Sequence, residues 1–375
     1  MGATTLAGCN SGGNGGDGGS SGSGGDETST TAEPSFQVGN LVWGQRGGGS
    51  SGTYAVDAAG VTTDEPSSYT PSIKYSPVFT ENAAIYGNAI REKSTGEVVR
   101  QLPAKATNTP AVVGEKVFYA AETEVVAADI TTGEELWRYT PPTNPAQVVA
   151  TDEVVVAGLQ QSTVALSPSD GSQMWSIDAV GMESAAYSSA FEIAGGRLYV
   201  WDNAQIYNIS DGSEAGFDAN RGGPYQIDND GNVYHNTEDR GRGDLTKYSS
   251  DGSQMWQISH QGIPLAADSD HLYTGFDDTV KALNKGDGEQ QWSFQMPRGV
   301  PPSIQFVAVG TENVYIAGRG RLFVVAKSSG ERTTIYPYGN YLDSWDDFEV
   351  SVGGGVVALT PTAGFDPTAL VLTEQ

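Results

Sequence analysis

Short apolar runs alternate with short polar stretches along most of the chain after residue 80. Each run has four to seven residues rich in Val, Tyr, Ile and Leu, with Gly, Asp, Asn or Ser at its ends, as in AAIYGN, KVFYAA, RLYVW and NVYIAG. β-Branched and aromatic residues between turn-forming residues are typical of strands joined by tight turns. Because no stretch of ten residues has a helical pattern, the sequence predicts an all-β protein.

A glycine recurs at a fixed place in this pattern, in the polar stretch after the second apolar run of each group. Successive glycines lie 36 to 42 residues apart, at Gly96, Gly133, Gly171, Gly212, Gly252, Gly288 and Gly330. This spacing matches one four-stranded propeller blade. A glycine suits a hairpin turn that needs a positive φ.

The number of blades follows from the two ends of the repeat. Seven glycines predict seven complete blades, and the tail adds three further strands at 348–352, 356–360 and 369–373. The stretch FQVGNLVWGQ, which contains Trp43, is expected to supply the missing outer strand, and residues 44–61 to cross from the last blade to the first. Such closure removes open sheet edges.

We therefore predict an eight-bladed β-propeller of four-stranded antiparallel blades, in which an N-terminal strand closes the last blade. The alternative is seven blades, if the tail packs elsewhere. Because each blade buries its faces against its neighbours, the ring is expected to be one domain despite its length.

The segments AADITTGEELW, ALSPSDGSQMW and ALNKGDGEQQW share an alanine, a turn glycine and a tryptophan at constant spacing. In this pattern the chain resembles the quinoprotein-like (pyrroloquinoline-quinone repeat) β-propellers. The resemblance implies that the tryptophan of the outer strand packs between blades. This role is assigned to Trp137, Trp175, Trp256 and Trp292, and in the closing strand to Trp43. Three units depart from the pattern, with Arg100, Gly216 and Thr334 in place of tryptophan.

The N-terminus contains a candidate targeting signal. LAGC, which ends at Cys9, resembles a lipobox, and Cys9 is the only cysteine of the chain. A lipid on Cys9 would account for a lone thiol in a secreted protein; the alternative is a chance match of small residues. We expect residues 1–9 to be a signal-peptide remnant, 10–35 a flexible Gly/Ser/Thr linker and 36–375 the propeller. The expected location is the extracellular face of the cell membrane, with a lipid anchor.

The net charge of the chain indicates the salt concentration in which the protein works and disfavours some classes of partner. Against 46 acidic residues there are 20 basic ones, a net charge of −26. This charge disfavours nucleic acid and anionic surfaces, so no nucleic-acid partner is expected. It is typical of a halophilic, archaeal protein that works in concentrated salt, where repulsion is screened. The alternative is an acidic surface for calcium or cationic ligands.

The residues give little sign of catalysis. The enzymatic branch of the resembled family binds pyrroloquinoline quinone with calcium, but the units here have bare blade length, and one cysteine cannot form a disulfide within the chain. His235, His260 and His271 lack zinc-site spacing. DNDGN at 228–232 lacks ligands of a calcium loop and is expected to be an Asp-Gly turn. We predict a protein that is not an enzyme, without cofactor or metal, and with Asn208 as a candidate glycosylation site.

One segment is a candidate surface for a partner. YPYGNYLDSWDDFE combines four carboxylates with the aromatic side chains of Tyr336, Tyr338, Tyr341 and Trp345. Aromatic side chains with polar neighbours are typical of binding surfaces; the alternative is a loop that fills the gap between two blades. A lesser candidate is the basic set Arg298, Arg319 and Arg321, for which ordinary ion pairing is the simpler interpretation.

Together these features predict a non-catalytic, monomeric cell-surface lipoprotein whose propeller is a scaffold for protein or peptide partners. The alternatives are a quinone- and calcium-dependent dehydrogenase and an extracellular glycan-binding module. Fold resemblance alone does not choose between them.

Overall fold

The computed structural model describes residues 36–38, 41–43, 67–69, 75–160, 162–178, 191–200, 205–215, 225–238, 242–259, 261–297, 304–318, 320–337, 348–361 and 369–373. All regular elements in these ranges are strands, arranged in eight antiparallel sheets. The sheets belong to a unit that runs from Gln37 to Gln375. No helix in the described ranges is long and apolar enough to cross a membrane.

Two short strands precede the first half of the blades: β1 (Leu41–Trp43) and β2 (Ser67–Tyr69). Blade 1 is built from β3 (Val78–Thr80), β4 (Ala83–Tyr86), β5 (Ala89–Glu92) and β6 (Val98–Gln101). Blade 2 is built from β7 (Ala111–Val113), β8 (Lys116–Ala120), β9 (Val125–Asp129) and β10 (Glu135–Tyr139). Blade 3 is built from β11 (Pro145–Ala150), β12 (Val155–Leu159), β13 (Ser162–Leu166) and β14 (Gln173–Asp178). Blade 4 is built from β15 (Phe191–Ala194), β16 (Arg197–Val200) and β17 (Gln205–Asn208).

The second half repeats this plan. Blade 5 is built from β18 (Tyr225–Ile227), β19 (Val233–Asn236), β20 (Asp244–Tyr248) and β21 (Gln254–Ser259). Blade 6 is built from β22 (Ile263–Ala267), β23 (His271–Phe276), β24 (Thr279–Asn284) and β25 (Gln290–Gln295). Blade 7 is built from β26 (Ile304–Val309), β27 (Asn313–Gly318), β28 (Arg321–Ala326) and β29 (Arg332–Pro337). Blade 8 is built from β30 (Phe348–Gly353), β31 (Val356–Pro361) and β32 (Leu370–Thr373), with β2 as its fourth strand.

From the inner wall outward the strands of blades 1 to 7 follow one another in sequence order, and in blade 8 β30 to β32 are followed by β2; we call these positions A to D. The A strands contact each other from blade 2 to blade 4 and from blade 5 to blade 8, and β30 of blade 8 contacts β3 of blade 1. Arg100 bonds Thr131 between blades 1 and 2, and Tyr199 bonds Gly231 between blades 4 and 5. The A strands therefore form the inner wall of a closed ring, and the D strands its rim. This confirms the predicted eight-bladed propeller and rules out seven blades.

An N-terminal strand closes the last blade, as predicted, but it is not the strand that contains Trp43. β2 pairs with β32, with Ser67 opposite Thr373 and Tyr69 opposite Val371. The assignment to FQVGNLVWGQ was wrong because Trp43 matches the blade pattern, whereas Ser67–Tyr69 is three residues long and carries neither the glycine nor the tryptophan.

The strand that contains Trp43 lies at the inner wall instead. β1 pairs antiparallel with β3, with Leu41 opposite Thr80 and Trp43 opposite Phe79. It also contacts β30 of blade 8. β1 is thus a fifth, innermost strand of blade 1, placed at the junction where the ring closes.

Blade 4 departs from the plan where its sequence does. Its fourth strand is reduced, within the described residues, to a bridge between Tyr207 and Glu214. The tryptophan of this unit is replaced by Gly216, which lies outside the described residues.

The ring has two faces, because consecutive strands run in opposite directions. The A–B and C–D turns lie on one face, which we call the turn face. The B–C and D–A connections lie on the other, which we call the loop face. Strands A to C are buried almost throughout, whereas the D strands alternate between buried and exposed positions.

Candidate functional site

The tryptophans of the repeat contact the turn glycine of the following blade. A Cβ atom on Gly171 would lie 2.6 Å from the ring of Trp137, and one on Gly330 would lie 2.6 Å from the ring of Trp292. Gly330 also has a φ of +73°, which an L side chain rarely adopts. The repeated glycine therefore meets two requirements, turn geometry and contact with the neighbouring tryptophan.

The indole nitrogen of each tryptophan makes the same inter-blade hydrogen bond. It donates to the backbone carbonyl three residues before the next turn glycine. The four bonds are Trp137 to Pro168 at 3.2 Å, Trp175 to Ile209 at 2.8 Å, Trp256 to Lys285 at 3.1 Å and Trp292 to Lys327 at 2.7 Å. In blade 1 the replacing residue reaches the same turn, because Arg100 Nε donates to the carbonyl of Thr131 at 3.2 Å.

A buried aromatic residue on strand B completes the packing of three of these tryptophans. The ring centroids lie 5.7 Å apart for Phe118 and Trp137, 5.9 Å for Tyr234 and Trp256, and 5.9 Å for Tyr273 and Trp292. Burial of such a side chain contributes about 1.5–3 kcal/mol to the free energy of unfolding. The repeated apolar run of strand B carries this signal, but on its own the pattern of aromatic residues indicates only a strand.

A lysine three residues before the turn glycine links some blades by charge. Lys285 Nζ lies 3.1 Å from the carboxylate of Asp228 in the preceding blade. Lys327 Nζ lies 3.0 Å from that of Asp268. At the closing junction Lys93 Nζ donates to the carbonyl of Gly354 in blade 8 at 2.6 Å. Sequence reasoning missed this set, since its partners lie in different repeats.

Asp228 is held by the chain's own donors, as expected for an Asp-Gly turn. Its side chain accepts hydrogen bonds from the backbone and side chain of Asn232 and from the hydroxyl of Tyr234 at 2.9 Å. Burial alone would raise the pKa of Asp228, but these bonds and the charge of Lys285 outweigh it, so the pKa lies below the usual aspartate range. Burial and the neighbouring carboxylate raise the pKa of Tyr234.

Asp268 repeats this arrangement in blade 6. It accepts hydrogen bonds from the hydroxyl of Tyr273 at 2.7 Å and from the backbone of Asp270 and His271. Burial opposes its ionisation, but these bonds and Lys327 hold the pKa of Asp268 below the usual range. The described blades 5, 6 and 7 are thus joined by two similar Asp–Tyr–Lys groups.

The residues assigned to the aromatic surface are only partly described. Tyr336 lies on β29 with 5% of its surface exposed, in a core cluster shared with blade 8 residues such as Val350 and Leu359. An exposed role for Tyr336 is therefore wrong, and its ring packs between two blades. Tyr338, Tyr341 and Trp345 lie outside the described residues.

Cys9, His260, Arg298 and Arg319 also lie outside the described residues. Arg321 is exposed at the start of β28.

The remaining candidates are part of local structure. Asn208 Nδ2 donates to Ser213 Oγ at 2.9 Å within a C–D turn. His235 is buried and stacks on Tyr225 at 4.7 Å, whereas His271 lies 3.6 Å from Asp268. The structure does not bring the two described histidines together into one site.

We tested whether the described residues fit the quinone and calcium of the resembled enzymes. Calcium prefers carboxylates and carbonyls that are free to bind it. The two buried carboxylates between blades, Asp228 and Asp268, already accept hydrogen bonds and face lysines. In the part of the chain that the structure describes, no three His, Cys, Asp or Glu side chains are placed to hold a metal ion. The described residues therefore do not supply this site.

Comparison with known proteins identifies the repeat. The family profile PQQ_2, described as outer membrane protein assembly factor BamB, matches residues 39–223 and 213–340. No curated protein matches the chain.

Solved structures with the same architecture come from two kinds of protein. BamB from Moraxella catarrhalis aligns with a TM-score of 0.56 and 12% identity, over 84% of this chain and 100% of that chain. Quinohemoprotein alcohol dehydrogenase ADHIIG from Pseudomonas putida HK5 and the quinohemoprotein alcohol dehydrogenase of Comamonas testosteroni each align with a TM-score of 0.58 and 11% identity, over 88% of this chain and 80% of theirs. At such identities the likeness shows the fold alone.

Proposed function

This chain belongs to the BamB family of PQQ-type repeats, and from that premise we propose that it is a non-catalytic scaffold that binds protein or peptide partners at the cell surface. The family is described by a role in assembling other proteins, which supports a protein as the ligand. The structural likeness to dehydrogenases reflects the shared propeller.

The observation that carries this proposal is that the buried polar side chains between blades are bonded to the neighbouring blades. Asp228 and Asp268 are bonded to tyrosines and to lysines of the following blade. Tryptophan indoles bond across four junctions, and two of these, between blades 5 and 6 and between blades 6 and 7, are the junctions that the aspartates also join. Side chains bonded in this way hold the blades at fixed positions, and a rigid ring with variable connections is suited to presenting a binding surface.

The location we propose is the outer face of the cell membrane, with a lipid on Cys9 and the polar residues 10–35 as a tether. The net charge of −26 supports a concentrated-salt environment. Because concentrated salt screens long-range electrostatic attraction, hydrophobic contacts and directional hydrogen bonds would hold a partner there.

The proposal is tested by capturing the tagged full-length protein from its own membranes in molar salt and analysing the bound proteins and small molecules by mass spectrometry. We expect a stoichiometric protein partner that re-binds the purified chain with a measurable Kd. Pyrroloquinoline quinone with stoichiometric calcium, together with dye reduction by an alcohol, would overturn the non-catalytic assignment.

A Cys9→Ser variant separates the anchor from the partner. We expect this variant to leave the membrane fraction but to bind the same purified partner with the same Kd. If it stayed in the membrane fraction, the lipid on Cys9 would be wrong, while the scaffold proposal would stand on its own measurement.

A further inference from the structure

The outer strand of blade 5 differs in burial from the other outer strands that carry a repeat tryptophan. β21 is the last strand of its sheet, and none of its six side chains is buried. The D strands β10, β14 and β25 each bury the tryptophan to 9% exposure or less. In β21, Trp256 and Ile258 are only partly buried, and Met255, at 54%, is the most exposed large apolar side chain among the described residues. β21 therefore leaves apolar surface uncovered at the rim.

The free edge of β21 also lacks the groups that usually protect a sheet edge. In an antiparallel pair alternate residues direct their N–H and C=O groups away from the neighbouring strand, so these groups face outward on an outermost strand. Charged side chains and prolines keep such an edge from pairing with another chain. β21, with the sequence QMWQIS, contains neither. The edges of β6, β10, β14 and β29 contain Arg100, Glu135 and Arg138, Asp178, and Arg332 and Pro337, respectively.

The outer strand of blade 6 shares the absence of charge but not the exposed apolar surface. The exposed positions of β25 are three glutamines and a serine, whereas Trp292 and Phe294 are each 7% exposed. The remaining outer strands are shorter, since β2 has three residues and blade 4 has only the bridge at Glu214 within the described part of the chain. Among the described D strands, an uncharged edge and uncovered apolar side chains therefore coincide in β21 alone.

The charges around this edge are distributed unevenly between its two ends. The carboxylate of Asp244 on β20 accepts a hydrogen bond from Gln257 Nε2 of β21 at 2.6 Å, which compensates it within the blade. Asp251 is exposed in the C–D turn, at the turn-face end of β21. The loop-face end of blade 5 exposes Arg242 as well as Glu238. One end of the edge is thus acidic, and the other carries both signs of charge.

We infer that the free edge of β21 pairs with the same strand of a second copy of the chain, so that two propellers share one antiparallel sheet at their rims. The edge requires an occupant that offers free backbone groups on an extended strand, and every copy offers β21. Pairing of this edge with itself is two-fold symmetric and ends at the dimer. Antiparallel pairing keeps the two Asp251 turns about 20 Å apart. It also places each of them at the end of the partner where Arg242 is exposed.

The dimer is expected to depend on salt. Each copy carries a net charge of −26, so the copies repel each other at low ionic strength. In molar salt the Debye length falls to about 3 Å, and backbone hydrogen bonds with the contacts of Met255 and Trp256 outweigh the remaining repulsion. Two six-residue edges bury less surface than a standard protein interface, so the dimer is weak and forms as the concentration rises.

Sedimentation equilibrium of the full chain over a dilution series measures this association, in a Cys9→Ser background so that no disulfide joins two copies. We expect a monomer–dimer equilibrium in molar NaCl. Met255→Lys should raise the dimer dissociation constant at least tenfold, although the added lysine reduces the net charge and therefore the repulsion. Met174→Lys is the matched control, because Met174 stands in the identical hexapeptide DGSQMW of blade 3. It should leave the constant unchanged, and circular dichroism checks that both variants are folded.

Hydrogen exchange locates the contact. In molar salt the amides of β21 should become more protected as the protein concentration rises, whereas those of β25 should not change. A monomer at every concentration, equal weakening by the two lysine variants, or assembly beyond the dimer would overturn the inference. Protection of β21 only when the captured protein partner is added would also overturn it, and would assign this edge to that partner. The scaffold function is tested separately, by the capture itself.

Discussion

At five of the turn glycines, the residue three positions earlier connects neighbouring blades. The carbonyl of Lys285 accepts from Trp256 and from Lys247 Nζ of blade 5, while its own Nζ bonds Asp228 in that blade and the carbonyl of Asp268 in blade 6. The bond from the tryptophan indole goes to a backbone carbonyl and does not depend on the side chain of that residue. The carbonyls of Pro168 and Ile209 therefore accept the same bond in other blades. The sequence pattern predicts the glycine, which recurs in all seven repeats, and the tryptophan, which recurs in four of them, but not the lysines, which occur at three of the seven positions.

Gly330→Ala tests the double requirement on the turn glycine. The new Cβ would overlap the ring of Trp292 and also force alanine to a φ of +73°. We expect a loss of about 2–4 kcal/mol in the free energy of unfolding, from backbone strain and overpacking together. Gly87→Ala is the control, since its φ is +62° but no atom lies within 4 Å of the new Cβ; it should lose only about 1–2 kcal/mol. Equal losses in urea titrations would contradict the contact with tryptophan.

The two buried aspartates predict how stability depends on pH. Because the folded-state pKa of Asp228 is lowered, its contribution is present above the unfolded pKa, about 3.9, and is lost as pH falls through the folded value. Asp228→Asn should therefore be less stable than the wild type by about 1–3 kcal/mol near neutral pH, and the difference should shrink below about pH 4. Urea unfolding in molar salt measures it, with Asp287→Asn in an exposed turn as the control. A difference that stays constant down to pH 3 would contradict the lowered pKa.

At the scale of elements, the blades were predictable because short runs of β-branched and aromatic residues, bounded by turn residues, recur with the turn glycine in each repeat. The closing strand was not, because β2 has three residues and owes its place to the edge of β32 rather than to its own sequence. The position of β1 was predicted wrongly because Trp43 matches the tryptophan pattern of the outer D strands, whereas β1 pairs with β3 at the inner wall. Of the candidate partner surface, only Tyr336 is placed, and its burial depends on blade 8 side chains that no local pattern reveals.

Thr80→Val tests the attachment of the segment that contains Val38 to blade 1. The Thr80 hydroxyl is fully buried, donates to Val38 and accepts from the backbone of Ala83 at 2.9 Å. The variant keeps the shape but removes both bonds, leaving the Val38 carbonyl with the N–H of Asn82 alone, so we expect a loss of about 1–3 kcal/mol. Hydrogen exchange should accelerate at residues 80–83 more than elsewhere. Thr132→Val, in an exposed turn, is the control, and a uniform change across the chain would contradict a local role.

At the scale of the whole molecule, the acidic surface sets the conditions under which the ring is stable. The net charge of −26 acts over the entire surface, whereas the Lys285–Asp228 and Lys327–Asp268 pairs are shielded from solvent. Salt should therefore relieve repulsion on the surface without weakening the bonds between blades.

We expect the melting temperature to rise by at least 10 °C between about 0.1 M and molar NaCl. Circular dichroism in NaCl, with KCl and a calcium salt for comparison, measures this. A melting temperature that does not change with salt would contradict the halophilic assignment. A rise only with calcium would favour specific cation binding instead.

The contact between a tryptophan and the next glycine has a direction, and this bears on how such a ring can grow in evolution. A blade offers its tryptophan to its successor and its glycine to its predecessor, as Trp137 meets Gly171 and Trp175 meets Gly212. A duplicated blade inserted into this series would bring both halves of the contact with it. The identical hexapeptide DGSQMW in blades 3 and 5 is what recent copying of such interchangeable units would leave behind.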